Sequence, residues 1–367
     1  MIGNIKSIEI GETVGTSVQW DIEHSANAHV ALIGASGSGK SVQAQKIICG
    51  LVQAGGTVLI IDQHGSFTDD QILPAYRNDI DSQRNDIDAC IEGIPCRLFT
   101  PVEYPDGSVE RETDTVNAIT DVLSRSMKLG IKQRTTLRYA IQRVMQEGTY
   151  MKAGFAAIGD ALQENDDKTS FELVEKMSPL FEHNVFKDEE GLIIDNKINI
   201  VHLSKLALNT QKIVTEVLLS YIWRLGNAEQ FKEKNFYLFV DECQNVDTSS
   251  ESPLALMISE GRRMGINLIL ATQMILQGTT NSVQQRISQC GLILYFKPAA
   301  NRVGQTAQLI SSSNKIQWAR TLTGLKVGEF IATGNLLLVN RPIRYPVTVS
   351  AYEPDGECCE NIITEGL

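Results

Sequence analysis

The chain has little of what marks membrane, secreted or metal-scaffold proteins. No apolar run in its 367 residues approaches the roughly 18 needed to cross a bilayer, which excludes a plain spanning helix and sets the expectation of no membrane insertion. Met1 to Asp21 holds no basic segment leading into an apolar one, so no secretion leader is expected. The seven cysteines (Cys49, Cys90, Cys96, Cys243, Cys290, Cys358, Cys359) are odd in number and never stand in C-x-x-C spacing. That argues against both a disulfide framework and a zinc site, and Cys358-Cys359 reads as two free thiols in a tail. The five histidines are scattered and suggest no metal. Positive charge is short as well: 33 Lys and Arg against 44 Asp and Glu leave a net −11. Such a field repels nucleic acid as a whole, so any DNA contact has to come from a local patch or from the lining of a ring. The expected compartment is the cytoplasm.

What is present begins at residue 29. The apolar run His29-Val30-Ala31-Leu32-Ile33 feeds into Gly34-Ala35-Ser36-Gly37-Ser38-Gly39-Lys40-Ser41, a complete G-x-x-x-x-G-K-[ST] phosphate loop. An amphipathic segment follows, with Val42, Ile47, Ile48 and Leu51 at helical spacing. Strand, glycine-rich turn and helix start are the context in which this motif holds a nucleoside triphosphate. Glycines let backbone N–H groups close around the phosphates, and the helix points its positive dipole end at them. Lys40 is placed to reach the β- and γ-phosphates, and the Ser41 hydroxyl to bind Mg²⁺.

Along the chain, apolar runs alternate with helical periods. Short β-like runs at Ser7–Ile10 and Val18–Ile22 are expected to add edge strands. Thr57–Asp62 reads as a strand buried on both faces, followed by an acidic, polar stretch from Thr68 to Asp88 and a short strand at Cys96–Thr100. From Asp114 to Phe186 the spacing turns helical and predicts three to five helices. Strands resume at Lys197–Leu203, Phe236–Val240, Asn267–Thr272, Gly291–Phe296 and Gly328–Ala332, and Leu336–Ser350 reads as a β-ribbon. The pattern predicts an α/β fold with a mainly parallel, doubly wound sheet and a helical insertion. The expected parts are a short N-terminal β segment over 1–28, an ATPase core over 29–113 and 191–335, the insertion over 114–190, and the ribbon and tail over 336–367.

Other residues suggest catalytic roles. Phe239-Val240-Asp241-Glu242 ends an apolar strand in two acids, where Asp241 would hold Mg²⁺ and Glu242 would act as general base on water. The next strand ends in Thr272-Gln273, and Gln273 would contact the γ-phosphate or orient the water. Arg262 and Arg263 close the helix before that strand, which suits the helix dipole but also an arginine finger given to a neighbouring subunit. Between Asp121 and Glu147 there is no acid, while Arg125, Lys128, Lys132, Arg134, Arg138 and Arg143 all fall there. Arg134 and Arg138 share a helix face, readable as a DNA contact or as a solvated face.

Taken together, GASGSGKS, LIIDQHG, YLFVDECQN and SEGRRMGINLILATQ resemble, in order and spacing, the HerA–FtsK family of ring-forming DNA-motor ATPases, the HerA branch most closely. The run Arg286-Ile287-Ser288-Gln289-Cys290-Gly291 fits the same pattern. The resemblance implies a RecA-like P-loop fold of the ASCE type, ATP and Mg²⁺ as cofactors, and a homo-oligomeric ring, a hexamer. It also implies a nuclease or another effector as partner, with DNA as the object moved. It favours Arg262, three residues before Gly265, over Arg263 as the finger. Asp62-Gln63-His64-Gly65 resembles the family's D-P-H-G segment with Gln63 in place of proline, which puts His64 near the nucleotide. Against the HerA pattern, the N-terminal barrel is expected to be absent or reduced to the short strands before His29, and no counterpart of the membrane spans and winged helix of FtsK is expected in this sequence.

Rival readings fit less well. Asp241-Glu242-Cys243-Gln244 matches a DExQ box, but the sequence after Gln244 is too short for a second motor domain. Neither Asn196-Lys197 nor Asn314-Lys315 continues to an N-K-x-D motif, and no LSGGQ-like signature is present. The alternative from another class is an ATP-gated oligomeric platform that organises a separately encoded effector.

Overall fold

The computed structural model describes residues 5–165, 167–273 and 287–351. Residues Ser7–Thr13 (β1) and Thr16–Asp21 (β2) form a hairpin about Val14-Gly15, both with positive φ, as a two-residue turn of this hand requires. Val30–Ile33 (β3) runs into the phosphate loop and Lys40–Gln53 (α1). Thr57–Asp62 (β4), Pro74–Gln83 (α2), Arg84–Asp88 (β5) and Ile94–Pro95 (β6) follow. Five helices come next: Glu112–Ser126 (α3), Ile131–Glu147 (α4), Tyr150–Ala153 (α5), Ala156–Gln163 (α6) and Lys168–Glu182 (α7). Phe186–Lys187 (β7), Ile198–His202 (β8), Leu208–Asn227 (α8), Phe236–Val240 (β9), Pro253–Met264 (α9) and Ile266–Thr272 (β10) lead to Leu292–Phe296 (β11). Val303–Ile310 (α10) and Lys315–Gly324 (α11) precede Glu329–Gly334 (β12), Leu336–Leu338 (β13), Arg341–Ile343 (β14) and Val347–Ser350 (β15).

One 13-stranded sheet organises these elements, in the order β14-β13-β2-β1-β15-β12-β11-β3-β10-β9-β4-β8-β5. Its β11-to-β5 half is parallel and the remainder antiparallel. Parallel strands need helices over both faces, and the central strands are accordingly buried throughout. Because side chains alternate, Val30 and Leu32 join one core with Ile47, Ile48 and Leu51 of α1, while Ala31 and Ile33 face the core shared with α8, α9 and the helices of residues 112–182. Each buried Leu, Ile or Val in these layers contributes about 1.5–3 kcal/mol relative to exposure.

The structure corrects three local expectations. The 7–22 hairpin is not the sheet's margin, because β13 pairs with β2 and carries β14 outside it. Residues 96–100 are no strand: the pairing is between Ile94–Pro95 and Phe186–Lys187, and Leu98 and Phe99 are apolar because they bury in the helical layer. The Leu336–Ser350 ribbon divides. β13 and β14 form a hairpin, while β15 turns back to pair between β12 and β1. The polar stretch before Asp88 also hides β5, an edge strand whose fully buried side chain is Ile87 alone. Cys358-Cys359 and Arg286 lie outside the described residues.

Candidate nucleotide site

The parallel strands point their carboxyl ends the same way, and the register sets which residues meet there. Thr272 pairs with Ile33 and Leu270 with Val240, so Gln273 follows beside Gly34, and Asp241 and Glu242 follow one strand further on. The strand carrying Gln273 lies between the phosphate-loop strand and the Asp241 strand, as the sequence predicts. A cavity of about 650 Å³ opens at this edge, lined by Ser36, Gly37, Gly39, Lys40, Ser41, Val42, His64, Ser66, Asp241, Glu242, Gln244, Asn245, Gln273 and Val327. Its size suits a small-molecule ligand.

The loop is built from its own backbone. Gly37 and Gly39 have φ of +70° and +101°, open to glycine at no steric cost. A Cβ on Gly39 would also lie 2.8 Å from the Gly328 nitrogen, so the close approach of the 328 segment needs glycine there. Gly34, Ala35 and Ser38 do not line the cavity. They form the loop's footing: Gly34 N–H donates to Thr272 O (3.1 Å), Ala35 N–H to Lys297 O (3.0 Å) and Ser38 Oγ to Ala35 O (2.7 Å). Lys40 is buried and donates to the carbonyl oxygens of Gly34 (3.0 Å) and Ala35 (2.9 Å). Burial pulls its pKa down, against the opposing pull of Glu242 and Asp241.

The two acids differ in environment. Asp241 is buried, and loss of water, with Glu242 beside it, raises its pKa. Its Oδ1 accepts the Glu242 N–H at 2.8 Å. Glu242 sits in the left-handed region (φ 46°), which turns its side chain back across the strand ends. Gln273 Nε2 donates to its Oε1 (2.6 Å), Gln244 Nε2 donates to its Oε2, and Thr272 Oγ1 donates to Gln244 Oε1 (2.7 Å). Both carboxylate oxygens are thus held by amides. A buried carboxylate and a serine hydroxyl at a phosphate loop are the hard oxygen donors that Mg²⁺ takes when phosphates supply the rest, so Ser41 and Asp241 fit that ion.

Arg262 lies elsewhere. It is exposed at the C-terminal end of α9 and close enough to buried His29 that, after burial itself, its charge helps lower the histidine's pKa to about 4. His29 precedes β3, five residues and about 16 Å from Gly34 along the strand, at the opposite end of the sheet from Lys40. Arg263 pairs with Glu260 at 3.1 Å, while no ion pair among the described residues involves Arg262.

Of the α4 arginines, Arg134 is exposed and Arg138 and Arg143 are half-buried, and all three are accompanied. Arg134 pairs with Asp121 of α3 (2.6 Å), Arg138 Nε donates to Asn117 (3.1 Å), and Arg143 pairs with Glu147 (2.7 Å) and with Glu164. Sequence reasoning missed Gln244, Asn245, Ser66 and Val327 as wall residues. Gln244 and Asn245 stood inside the quoted YLFVDECQN run and Ser66 directly after LIIDQHG, but Val327 follows α11 and had no local signal.

A family model described as the central domain of helicase HerA matches residues 8–222, more than half of the chain. This chain belongs to the HerA central-domain family. It is 23% identical over 360 residues to the DNA double-strand break repair helicase HerA of Saccharolobus solfataricus, covering 90% of this chain and 66% of that protein. The protein of the same name from Sulfurisphaera tokodaii is 21% identical over 96% of this chain and 70% of its own length. The chain therefore spans about two thirds of the length of these relatives. Among solved structures, VirB4 of Thermoanaerobacter pseudethanolicus aligns with a TM-score of 0.69 at 15% identity, over 96% of this chain and 98% of that one. The bacterial conjugative coupling protein TrwB aligns at 0.59 and 12% identity, over 95% of this chain and 89% of that one. The fold is that of the RecA-like P-loop ATPases, with a large, mostly parallel central sheet.

Proposed function

We propose that the chain is a Mg²⁺-dependent ATP hydrolase of the HerA type, acting in a homo-oligomeric ring, a hexamer, to move or remodel DNA. The observation that carries the reading is the convergence of Lys40, Ser41, Asp241, Glu242 and Gln273 on one cavity at the carboxyl ends of parallel strands. TrwB, which shares the fold, has been solved with an ATP analogue and with ADP and Mg²⁺, which supports ATP and Mg²⁺ here.

In this reading the N–H groups of the loop and Lys40 hold the phosphates, exchanging the carbonyls of Gly34 and Ala35 for phosphate oxygens. Ser41 and Asp241 hold Mg²⁺, whose charge would stabilise the phosphate oxygens. Glu242 takes the proton of the attacking water, one of its two amide donors yielding as it does so. Gln273, adjacent to Gly34, senses the terminal phosphate. Arg262 lies too far from its own Lys40 and serves a neighbouring subunit packed head to tail, a contact that closes into a ring. The DNA-facing part is the helical insertion of residues 114–190, through Arg134 and Arg138, and a nuclease or other effector is the expected partner.

The neutralising partners of Arg134 and Arg143 favour a second reading, an ATP-gated platform that organises an effector without processive movement on DNA. Turnover measurement and native mass of the wild type and Lys40→Ala, with and without ATP and duplex DNA, test both. An ATPase ring stimulated by DNA supports the motor. An ATPase ring indifferent to DNA supports the platform. Equal ATP turnover by Lys40→Ala and wild type would overturn the site.

A further inference from the structure

The segment Asp62-Gln63-His64-Gly65-Ser66-Phe67 crosses the carboxyl end of β4 and is more firmly held than an exposed turn needs to be. Four independent anchors fix it. Asp62, buried, accepts the N–H groups of Ser66 (2.9 Å) and Phe67 (3.2 Å), which curls the chain over its own carboxylate. Gln63 turns inward and donates to Thr215 Oγ1 of α8 at 3.0 Å. Phe67 packs edge-on against Phe239 of β9, ring centroids 5.4 Å apart, two residues before Asp241. Gln45 of α1, five residues past Lys40, donates to the carbonyls of Ser66 (3.3 Å) and Gln71 (3.0 Å) and accepts the Leu73 N–H (3.1 Å).

Behind Asp62 stands His202 of β8. Its Nε2 is 2.8 Å from Asp86, and its Nδ1 lies 3.4 Å from Asp62 Oδ2 without the alignment of a hydrogen bond, so that contact is mainly charge on charge. Burial alone would lower the His202 pKa, but the two carboxylates outweigh it and bring it to about 9, so the ring is cationic at neutral pH. The charge of Asp62 is thereby matched from behind while its oxygens hold the turn in front.

The exposed residue at the crest of this fixed turn is His64, with Gly65 in the left-handed region (φ +75°) letting the chain double back. His64 and Ser66 both line the cavity of Lys40 and Glu242, and His64 stands close enough to Asp241 to act on that carboxyl group. We propose that His64 donates a ring N–H to the terminal phosphate of the bound nucleotide, so distinguishing triphosphate from diphosphate, and that Asp62, backed by His202, is the positioning residue that presents it. This rests on the reading of the cavity as an ATP site.

The test measures binding of fluorescent ADP and of a fluorescent, non-hydrolysable ATP analogue, each with Mg²⁺, to the full chain. Lys40→Ala separates the two claims: if it binds both ligands like wild type, the ATP-site reading fails. If it loses both, His64→Ala is decisive for the inference. It should hold ADP within about twofold of wild type and weaken the ATP analogue about tenfold or more, the size of a charge-assisted hydrogen bond. His64→Gln, which keeps a donor, should recover most of the preference. An ATP-to-ADP ratio in His64→Ala equal to wild type overturns the role of His64. Asp62→Asn should shift the ratio in the same direction and add nothing in the His64→Ala background, as two residues acting through one contact require. A further loss in that background as large as in wild type overturns the positioning role of Asp62.

Discussion

Two sets of charged side chains in this molecule look alike in the sequence and differ in three dimensions. Around the cavity, Lys40 and Asp241 are buried, their pKa values move toward the neutral forms, and they face a shared space rather than each other's hydrogen bonds. On α4, Arg134, Arg138 and Arg143 are solvated and each has a partner on its own or a neighbouring helix. Holding a charge out of water costs several kcal/mol unless it is compensated, whereas an exposed ion pair is worth about 0–1 kcal/mol. The cavity charges thus hold free energy that an incoming ligand can release, and the α4 charges hold almost none. Arg262 shares exposure with the second set and the lack of an ion-pair partner among the described residues with the cavity set.

The largest expected effect sharpens that contrast at Arg262. Arg262→Ala should leave ATP binding and assembly in place and slow hydrolysis ~10³-fold or more, the range of a trans-acting arginine. Co-expression with Glu242→Gln should restore part of the activity at interfaces pairing an intact Arg262 with an intact Glu242. Normal turnover by Arg262→Ala in a steady-state ATPase assay would remove it from the functional set and leave Arg263 as the candidate.

Next comes the base. Glu242→Gln should bind ATP with Mg²⁺ and hydrolyse it ~10²–10⁴-fold more slowly, as loss of a general base predicts. Gln244→Ala frees one Glu242 oxygen and should change kcat more than KM. Single-turnover rates would show whether the chemical step is the one affected.

A smaller effect tests the other half of the comparison. Arg134→Glu with Arg138→Glu should lower DNA-stimulated turnover while sparing the basal rate, and wild-type DNA binding should weaken steeply with salt. A double variant that binds DNA like wild type across a salt titration would confine α4 to a solvated, paired face.

The smallest effect concerns the His202 cluster, faced by Asp62 and Asp86, the latter also paired with Arg84 at 2.8 Å. The folded pKa of His202, about 9, stands above its unfolded value of about 6.5. The stabilisation is therefore complete below pH 6.5 and is lost as pH rises through 9. The difference in Tm between wild type and His202→Gln should shrink across that window, and a difference that stays constant would show that the pair carries no net charge interaction.

Much of the fold was legible because buried parallel strands are short apolar runs, and β3, β4, β8, β9, β10 and β11 all have that form. The polar edge strand Arg84–Asp88 escaped notice because an edge needs only one buried side chain. Residues 96–100 misled because burial against a helix and burial in a sheet leave the same apolar pattern.

By itself the sequence determined the phosphate loop, the acids ending β9 and the α/β alternation, since each depends on neighbours within a few residues. Only the tertiary structure decided that Gln244 and Gln273 hold the two oxygens of Glu242, that Val327 walls the cavity, and that His202 backs Asp62. Apart from Gln244 and Glu242, which stand two residues apart, those contacts join segments far apart in the chain. Their existence depends on register and strand order, which hydrogen bonding and packing across the whole sheet set together.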